Sequence, residues 1–339
     1  MPPPNDETNF WKVASVDESE DSYWHAYEAT RPNYADDNFL DIVYDYHSSK
    51  HKSSFTIAHD VGCGSGVAAA ELATRFMHVV ASDNNATSLN TARRFLSSIP
   101  QDNDRGREKF SFTLCPGEEL MAHHAPQSAD LIAAAECLPL IDGAAALSSF
   151  YTILRPGGTV VIWFYARPHF SEPEYASACQ SILDRILDCA FSKVINGHGP
   201  ERTESWKKAI SGMRSWLDYL NFLETPGKWE SVVRRKWNSK SAEMCFFTPA
   251  ACNFKLDPIS KVAVEEEVVE IEDSRMWEKK WDVKGVKEFV DYSFPNIKDV
   301  VDEDEEIKEL LEQLADAMGG EQEVRTFTWP VVLILATKS

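Results

Sequence analysis

The chain has no closely spaced cysteine pair; its seven cysteines, Cys63, Cys115, Cys137, Cys179, Cys189, Cys245 and Cys252, are scattered. An odd number without CxxC spacing leads us to expect neither a disulfide framework nor a zinc site, and a reducing, cytoplasmic location. Basic residues are in deficit: 34 Lys and Arg face 54 Asp and Glu, for a formal net charge of −20. Such a field repels a phosphate backbone, so no nucleic-acid partner is expected. It also requires any small anionic substrate to find a local basic pocket. Apolar runs of membrane-spanning length are missing, the segment Val331–Ala336 being strand-sized, so no membrane partner is expected. The first ten residues carry neither a basic nor an apolar leader region, and a secretory signal is not expected. No internal repeat is visible.

What is present is the balance of an ordinary globular chain: 339 residues, 43% hydrophobic and 26% charged. Residues 1–22 are polar and acidic and read as a loose arm. The spacing in 35–47 predicts a helix. From Thr56 to Tyr165, short β-branched runs alternate with helical periods. That alternation predicts a parallel sheet with crossover helices, an α/β fold of Rossmann-like type within residues 23–165. Residues 166–261, rich in aromatics and in the basic run around Arg234, read as a helical cap inserted over the sheet edge. Residues 262–339 read as further helices followed by an edge hairpin that completes the sheet. The acidic stretch 300–313 reads as a solvated helix with its approach rather than a metal site.

Asp60-Val61-Gly62-Cys63-Gly64-Ser65-Gly66 lies between a predicted strand and a predicted helix. Glycines let the backbone turn sharply and approach a ligand, and helix N-terminal amides then face it. A dinucleotide fingerprint requires GxGxxG. The spacing here is GxGxG after an acid. It suits a cofactor without pyrophosphate that carries an ammonium and a sulfonium, namely S-adenosylmethionine. Asp83, at the end of the next strand with Asn84 beside it, is placed to accept hydrogen bonds from ribose hydroxyls, or else to cap the following helix. Gly117 and Glu118, in the loop after the third strand, are expected near the adenine. Ala135 and Glu136, after the fourth, are expected along the methionine arm.

These pieces resemble the class I methyltransferases typified by the fungal trans-aconitate and cantharidin-type small-molecule enzymes. The matching elements are Tyr27-x-x-x-Arg31-Pro32-x-Tyr34, the glycine loop, Pro116–Leu120, Ala135-Glu136, and Leu154–Gly158 leading into Trp163–Tyr165. The resemblance implies a seven-stranded sheet with an antiparallel last strand and methyl transfer to oxygen of a small molecule. It implies that Tyr27 and Arg31 close over the cofactor, with Arg31 near its carboxylate. One departure stands out: Pro139-Leu140 replaces a His-Trp pair common among relatives. Acceptor contacts are expected from Tyr34, Leu138, Trp163, Tyr165 and Arg167. His25 and His169 are the histidines nearest the expected pocket, and a base is needed only for a hydroxyl acceptor, not for a carboxylate. Two other readings stay open at this point: a methyltransferase-like protein that binds the cofactor without transfer, as a binding module or a cyclase, and an NAD(P)-dependent oxidoreductase. The glycine spacing argues against the second.

Overall fold

A computed structural model describes residues 19–99, 108–225, 227–294 and 297–339; of Ser19 to Ser22, His25 and Asp37 it describes the backbone alone. The chain opens with helices α1 (Ser19–Ala29) and α2 (Phe39–Ser48). Five strands with intervening helices follow: β1 (Ile57–Val61), α3 (Val67–Leu72), β2 (His78–Asp83), α4 (Ala86–Ser98), β3 (Phe110–Leu114), α5 (Leu120–His123), β4 (Ala129–Ala135), α6 (Gly143–Ile153) and β5 (Leu154–Tyr165). Next come β6 (His169–Phe170), α7 (Pro173–Ile195), α8 (Pro200–Arg214), β7 (Trp229–Trp237), β8 (Glu267–Ile271) and β9 (Lys279–Trp281). The chain ends with α9 (Val283–Asp291), α10 (Ile297–Glu303), α11 (Glu305–Met318), β10 (Arg325–Thr328) and β11 (Val331–Lys338).

The main sheet runs β3-β2-β1-β4-β5-β11-β7-β8, parallel from β3 to β5. β11 is antiparallel to both of its neighbours, β5 and β7. The Rossmann-like α/β fold with its seven strands is therefore present, and β8 adds an eighth, parallel to β7. β4 and β11 are buried nearly throughout, as expected of strands covered on both faces.

Two expectations about the second half are corrected. The terminal strands do not form an edge hairpin: β11 lies inside the sheet, while β10 joins β6 and β9 in a separate three-stranded antiparallel sheet. An all-apolar run such as VVLILA is what an interior strand requires, and an edge strand would expose half of it. The segment 166–261 is not wholly a cap, since Trp229–Trp237 enters the main sheet as β7. Its basic residues mask the strand: Arg234 is fully buried, donating to Glu266 Oε2 at 2.5 Å and to the carbonyls of Leu217 and Leu220, and Lys236 pairs with Asp218 at 2.7 Å. Partnered charges of this kind are tolerated inside a sheet. α1 begins at Ser19, inside the segment 1–22 read as a loose arm; residues 1–18 lie outside the described ones. α7 packs along α11, and α8 packs over the turn Leu138–Leu140.

Candidate active site

Strand order reverses between β1 and β4, and a crevice opens there beyond the carboxyl ends of the strands, where open α/β sheets bind ligands. A cavity of about 420 Å³ fills it. Its floor is the loop after β1. Gly62, Gly64 and Gly66 all have positive φ (69°, 53° and 96°), a conformation that L side chains rarely adopt. A Cβ on Gly62 would sit 2.8 Å from Cys137 Cβ, whereas at Gly64 the nearest atoms belong to the Trp24 ring at 3.8 Å. Gly64 thus leaves open the floor that a ligand would cover. Gly66 does not line the cavity. It starts α3, and a Cβ there would press on Leu96 and Ala92 of α4 at 3.2–3.3 Å, so its role is helix packing.

Asp60, at the end of β1, lines the cavity and is fully buried, and neither carboxylate oxygen has a hydrogen-bond partner. Burial pushes its carboxyl up to about 7. An orphaned buried carboxylate is a strong sign of a cationic ligand. Asp83 lines the same cavity. Its Oδ2 accepts from Gly64 N at 3.0 Å and its Oδ1 from Asn85 N at 2.8 Å, so it ties the glycine loop to the start of α4. The cap of α4 is Asn85, which accepts from Thr87 N, rather than Asp83. The Asn84 amide also acts on this carboxylate, which with its roughly four acceptor sites keeps capacity for a ligand hydroxyl.

Over the loop lies α1. Tyr27 and Arg31 both line the cavity, with the guanidinium 4.4 Å from the Tyr27 ring centroid and 4.6 Å from that of Phe289. Arg31 Nη2 donates to the Tyr292 carbonyl at 3.4 Å, while its buried Nε and Nη1 meet no acceptor. Beside Tyr27 and Arg31 on the same wall are Tyr34, Tyr165 and Glu136. Burial pushes both phenols well up, so they remain neutral at working pH. Glu136 has φ 57°, rare for a non-glycine residue, and its Oε1 accepts from Tyr165 N at 2.7 Å. Burial holds its carboxyl well above the ordinary range, with Arg31 acting in the other direction.

The cavity thus brings together Tyr27, Arg31, Tyr34, Asp60, Gly62, Gly64, Asp83, Asn84, Gly117, Ala135, Glu136 and Tyr165 of the expected set. Several others are corrected. Glu118 lies outside it, its Oε1 accepting from Asp142 N at 2.8 Å at the start of α6. Trp163 is core: its side chain points under the site, edge-on to Tyr34 and Phe39. Leu138 is buried beneath the turn and gives its carbonyl to Tyr219 Oη. Arg167, buried and bound to Asp184 at 3.1 Å, is occupied and does not reach the cavity. His169 lies in β6, away from the cavity, with burial pushing its imidazole down to about 4. The side chain of His25 is outside the described residues.

Sequence reasoning missed Trp24, Phe95, Ile141 and Lys279, which also line the site. Trp24 sits one helical turn before Glu28 on the helix that carries Tyr27, so periodicity offered a signal. Lys279 arrives from β9, more than a hundred residues after β5, and no local pattern announces it. The Pro139-Leu140 departure has a structural consequence: Leu140 supplies an apolar wall.

Residues 59–162 match the methyltransferase domain family. The chain is 39% identical to Methyltransferase pgmE of Aspergillus terreus, with 98% of each chain covered. It is 35% identical to Methyltransferase cfoB of Aspergillus candidus over 93% of this chain and 94% of that one. It is 34% identical to Methyltransferase ptaI of Pestalotiopsis fici over 93% of each. The solved structure of a type II methyltransferase from Anaeromyxobacter dehalogenans shares the fold, with a TM-score of 0.54 at 16% identity over 91% of this chain and 97% of that one. No helix among the described residues is long and apolar enough to cross a membrane.

Proposed function

Because this chain belongs to the class I S-adenosylmethionine-dependent methyltransferases, in the fungal group of pgmE, cfoB and ptaI, we propose that it methylates a hydroxyl oxygen of a small, largely apolar molecule. The observation that carries the reading is the charge of the cavity wall. Asp60, Asp83, Glu28 and Glu136 line it against Arg31 and Lys279. A carboxylate acceptor would be a further anion beside buried carboxyl groups whose own ionisation burial already disfavours, and Arg31 is already suited to the carboxylate of the cofactor. A neutral hydroxyl meets no such repulsion.

When bound, S-adenosylmethionine supplies a methyl group already activated by the sulfonium. The residues fit it. The orphaned Asp60 carboxylate suits its ammonium, and the unpartnered nitrogens of Arg31 suit its carboxylate. Asp83 and Asn84 suit the ribose, and Cys115 and Gly117 stand where the adenine would lie. Tyr34, Tyr165, Leu140 and Ile141 form the wall for the acceptor, and α1 covers one side of the cavity with Trp24, Tyr27 and Glu28. Holding acceptor and donor in line in a dry site is most of what such a displacement needs.

Calorimetric titration with S-adenosylmethionine and NADH, followed by incubation with methyl-labelled cofactor and a panel of phenols, alcohols, carboxylic acids and amines, tests this. We expect S-adenosylmethionine to bind, NADH not to bind, and the label to appear as an ether. Label found only in esters or on nitrogen overturns the hydroxyl assignment. Cofactor binding without any labelled product supports the non-transferring alternative.

A further inference from the structure

We infer that helix α9 fixes the cofactor-binding arginine from outside the cavity: the ring of Phe289 and the carbonyl of Tyr292 hold Arg31 so that its unpartnered nitrogens are left for the carboxylate of S-adenosylmethionine. Phe289 is then a positioning residue for donor binding, a role that rests on the assignment of Arg31 to that carboxylate above.

A buried guanidinium can be held by its edges or by its faces. The edges carry the N–H donors, so an ion pair occupies them, whereas an aromatic ring takes only a face. Arg167 and Arg234 are held by their edges, on Asp184 at 3.1 Å and on Glu266 at 2.5 Å. Arg31, equally buried, is held differently. Its guanidinium carbon lies 4.4 Å from the Tyr27 ring centroid and 4.6 Å from that of Phe289, with Phe246 further off at 6.0 Å. Its Nη2 donates to the Tyr292 carbonyl at 3.4 Å, and Nε and Nη1 meet no acceptor among the described residues. The rings thus orient the group without occupying the donors that an anion needs.

Two of these contacts come from one helix. Phe289 and Tyr292 stand three residues apart at the C-terminal end of α9, a spacing that puts them on one face. The last carbonyls of a helix lack intrahelical donors and carry partial negative charge, so the Tyr292 carbonyl suits a cation. It also accepts from Tyr23 Oη at 3.4 Å, which ties α1 to the same point. Phe289 is fully buried and does not line the cavity. Trp281 backs it, with ring centroids 5.6 Å apart, and Asp282 caps α9 by accepting from Gly285 N at 2.9 Å. The helix is therefore a support for Arg31 rather than a wall of the site. Glu136 feels the Arg31 charge, yet no hydrogen bond joins the two among the described residues, and Glu136 Oε1 accepts from Tyr165 N at 2.7 Å. The whole support lies outside residues 59–162, the matched domain.

The experiment uses the full chain carrying Phe289→Met, which keeps an apolar side chain and loses the ring. Calorimetry measures binding of S-adenosylmethionine and of decarboxylated S-adenosylmethionine, which lacks only the carboxylate. Wild type should prefer the first by about tenfold or more, and Arg31→Gln should abolish that preference. Phe289→Met should bind S-adenosylmethionine about 3- to 30-fold more weakly than wild type does, and the decarboxylated ligand within about twofold. Mono-, di- and trifluorophenylalanine at position 289 keep the ring's shape while draining negative charge from its face. They cover the case in which the methionine variant fails to fold, and the preference for the carboxylate should fall stepwise along the series. Equal losses for both ligands show a general packing defect and overturn the positioning role. A wild-type preference lost in Arg31→Gln but undiminished in Phe289→Met or along the fluorinated series overturns the role of Phe289 and leaves the Arg31 assignment standing. Equal wild-type affinity for the two ligands removes that assignment, and the positioning role with it.

Discussion

Replacing Asp60 with Asn should make the cofactor-free protein more stable and the cofactor complex weaker. Both oxygens of Asp60 are buried without partners, and its carboxyl titrates at about 7 against an ordinary 3.8. Because the folded value is raised, the folded state holds a proton that the unfolded state has already released. Stability therefore falls as pH rises from 3.8, and the loss is complete above 7. At about 1.4 kcal/mol per pKa unit, the full penalty is roughly 4 kcal/mol. Asn still buries an unpaired amide costing about 1–3 kcal/mol, so the expected net gain at pH 8 is about 1–3 kcal/mol, shrinking toward zero or below at pH 4. Urea unfolding of both proteins at the two pH values measures it. Cofactor binding supplies the second arm. An ammonium beside Asp60 favours the charged form, so binding to wild type at pH 7 should release about half a proton. The release is visible as a dependence of the calorimetric enthalpy on the buffer's ionisation enthalpy, and it should vanish in Asp60→Asn with a roughly 10- to 100-fold weaker dissociation constant. A variant that is less stable at pH 8, binds as tightly as wild type and leaves proton release unchanged would refute the reasoning.

Asp83→Ala should weaken S-adenosylmethionine binding by about 1–3 kcal/mol, because it removes a ribose acceptor and frees the Gly64 amide it now holds; an unchanged calorimetric affinity would confine Asp83 to bracing the loop. Arg234→Leu leaves the Glu266 carboxylate, 3% exposed, without its partner deep between β7 and β8. It should cost about 3–5 kcal/mol in denaturant unfolding, and a change below about 1 kcal/mol would mean that Glu266 finds water or another donor. His59, buried in the middle of β1 against the edge of the His124 ring, is pushed down to about 3 by burial. With the folded value depressed, the unfolded state takes up a proton first, so stability is lost as pH falls below 6.5, by about 2 kcal/mol at pH 5. His59→Asn should remove that part of the acid sensitivity, and equal slopes between pH 7 and 5 in the two proteins would count against a neutral buried His59.

Much of the site was legible because its signals are local. The glycine loop needs left-handed backbone at three alternate residues, which glycines at that spacing provide, and the acid before it and Asp83 occupy the ends of adjacent parallel strands. Tyr27, Arg31 and Tyr34 share one short segment, the end of α1 and the turn after it, which runs along the cavity. Trp163 and Arg167 were misplaced for a different reason. Alternation along a strand tells which residues share a face, not whether that face meets a cavity or another layer. Trp163 faces Phe39 and the core, and Arg167 is taken by Asp184, a residue seventeen positions later on α7.

The sequence by itself determined the donor side of this protein: the Rossmann-like α/β frame, the left-handed glycine loop after β1 to which we assign S-adenosylmethionine, and the family. Those depend on backbone conformation and strand order, which near-neighbour patterns encode. Only the tertiary structure decided where β7 and β11 insert, that Arg234 is an internal ion pair and not part of a basic surface, and that Lys279 and Leu140 meet at one cavity. It likewise decided which of the carboxylates is left unpaired. Those outcomes depend on contacts between residues far apart in the chain, where burial and the competition for hydrogen-bond partners, rather than local pattern, set the chemistry of each group.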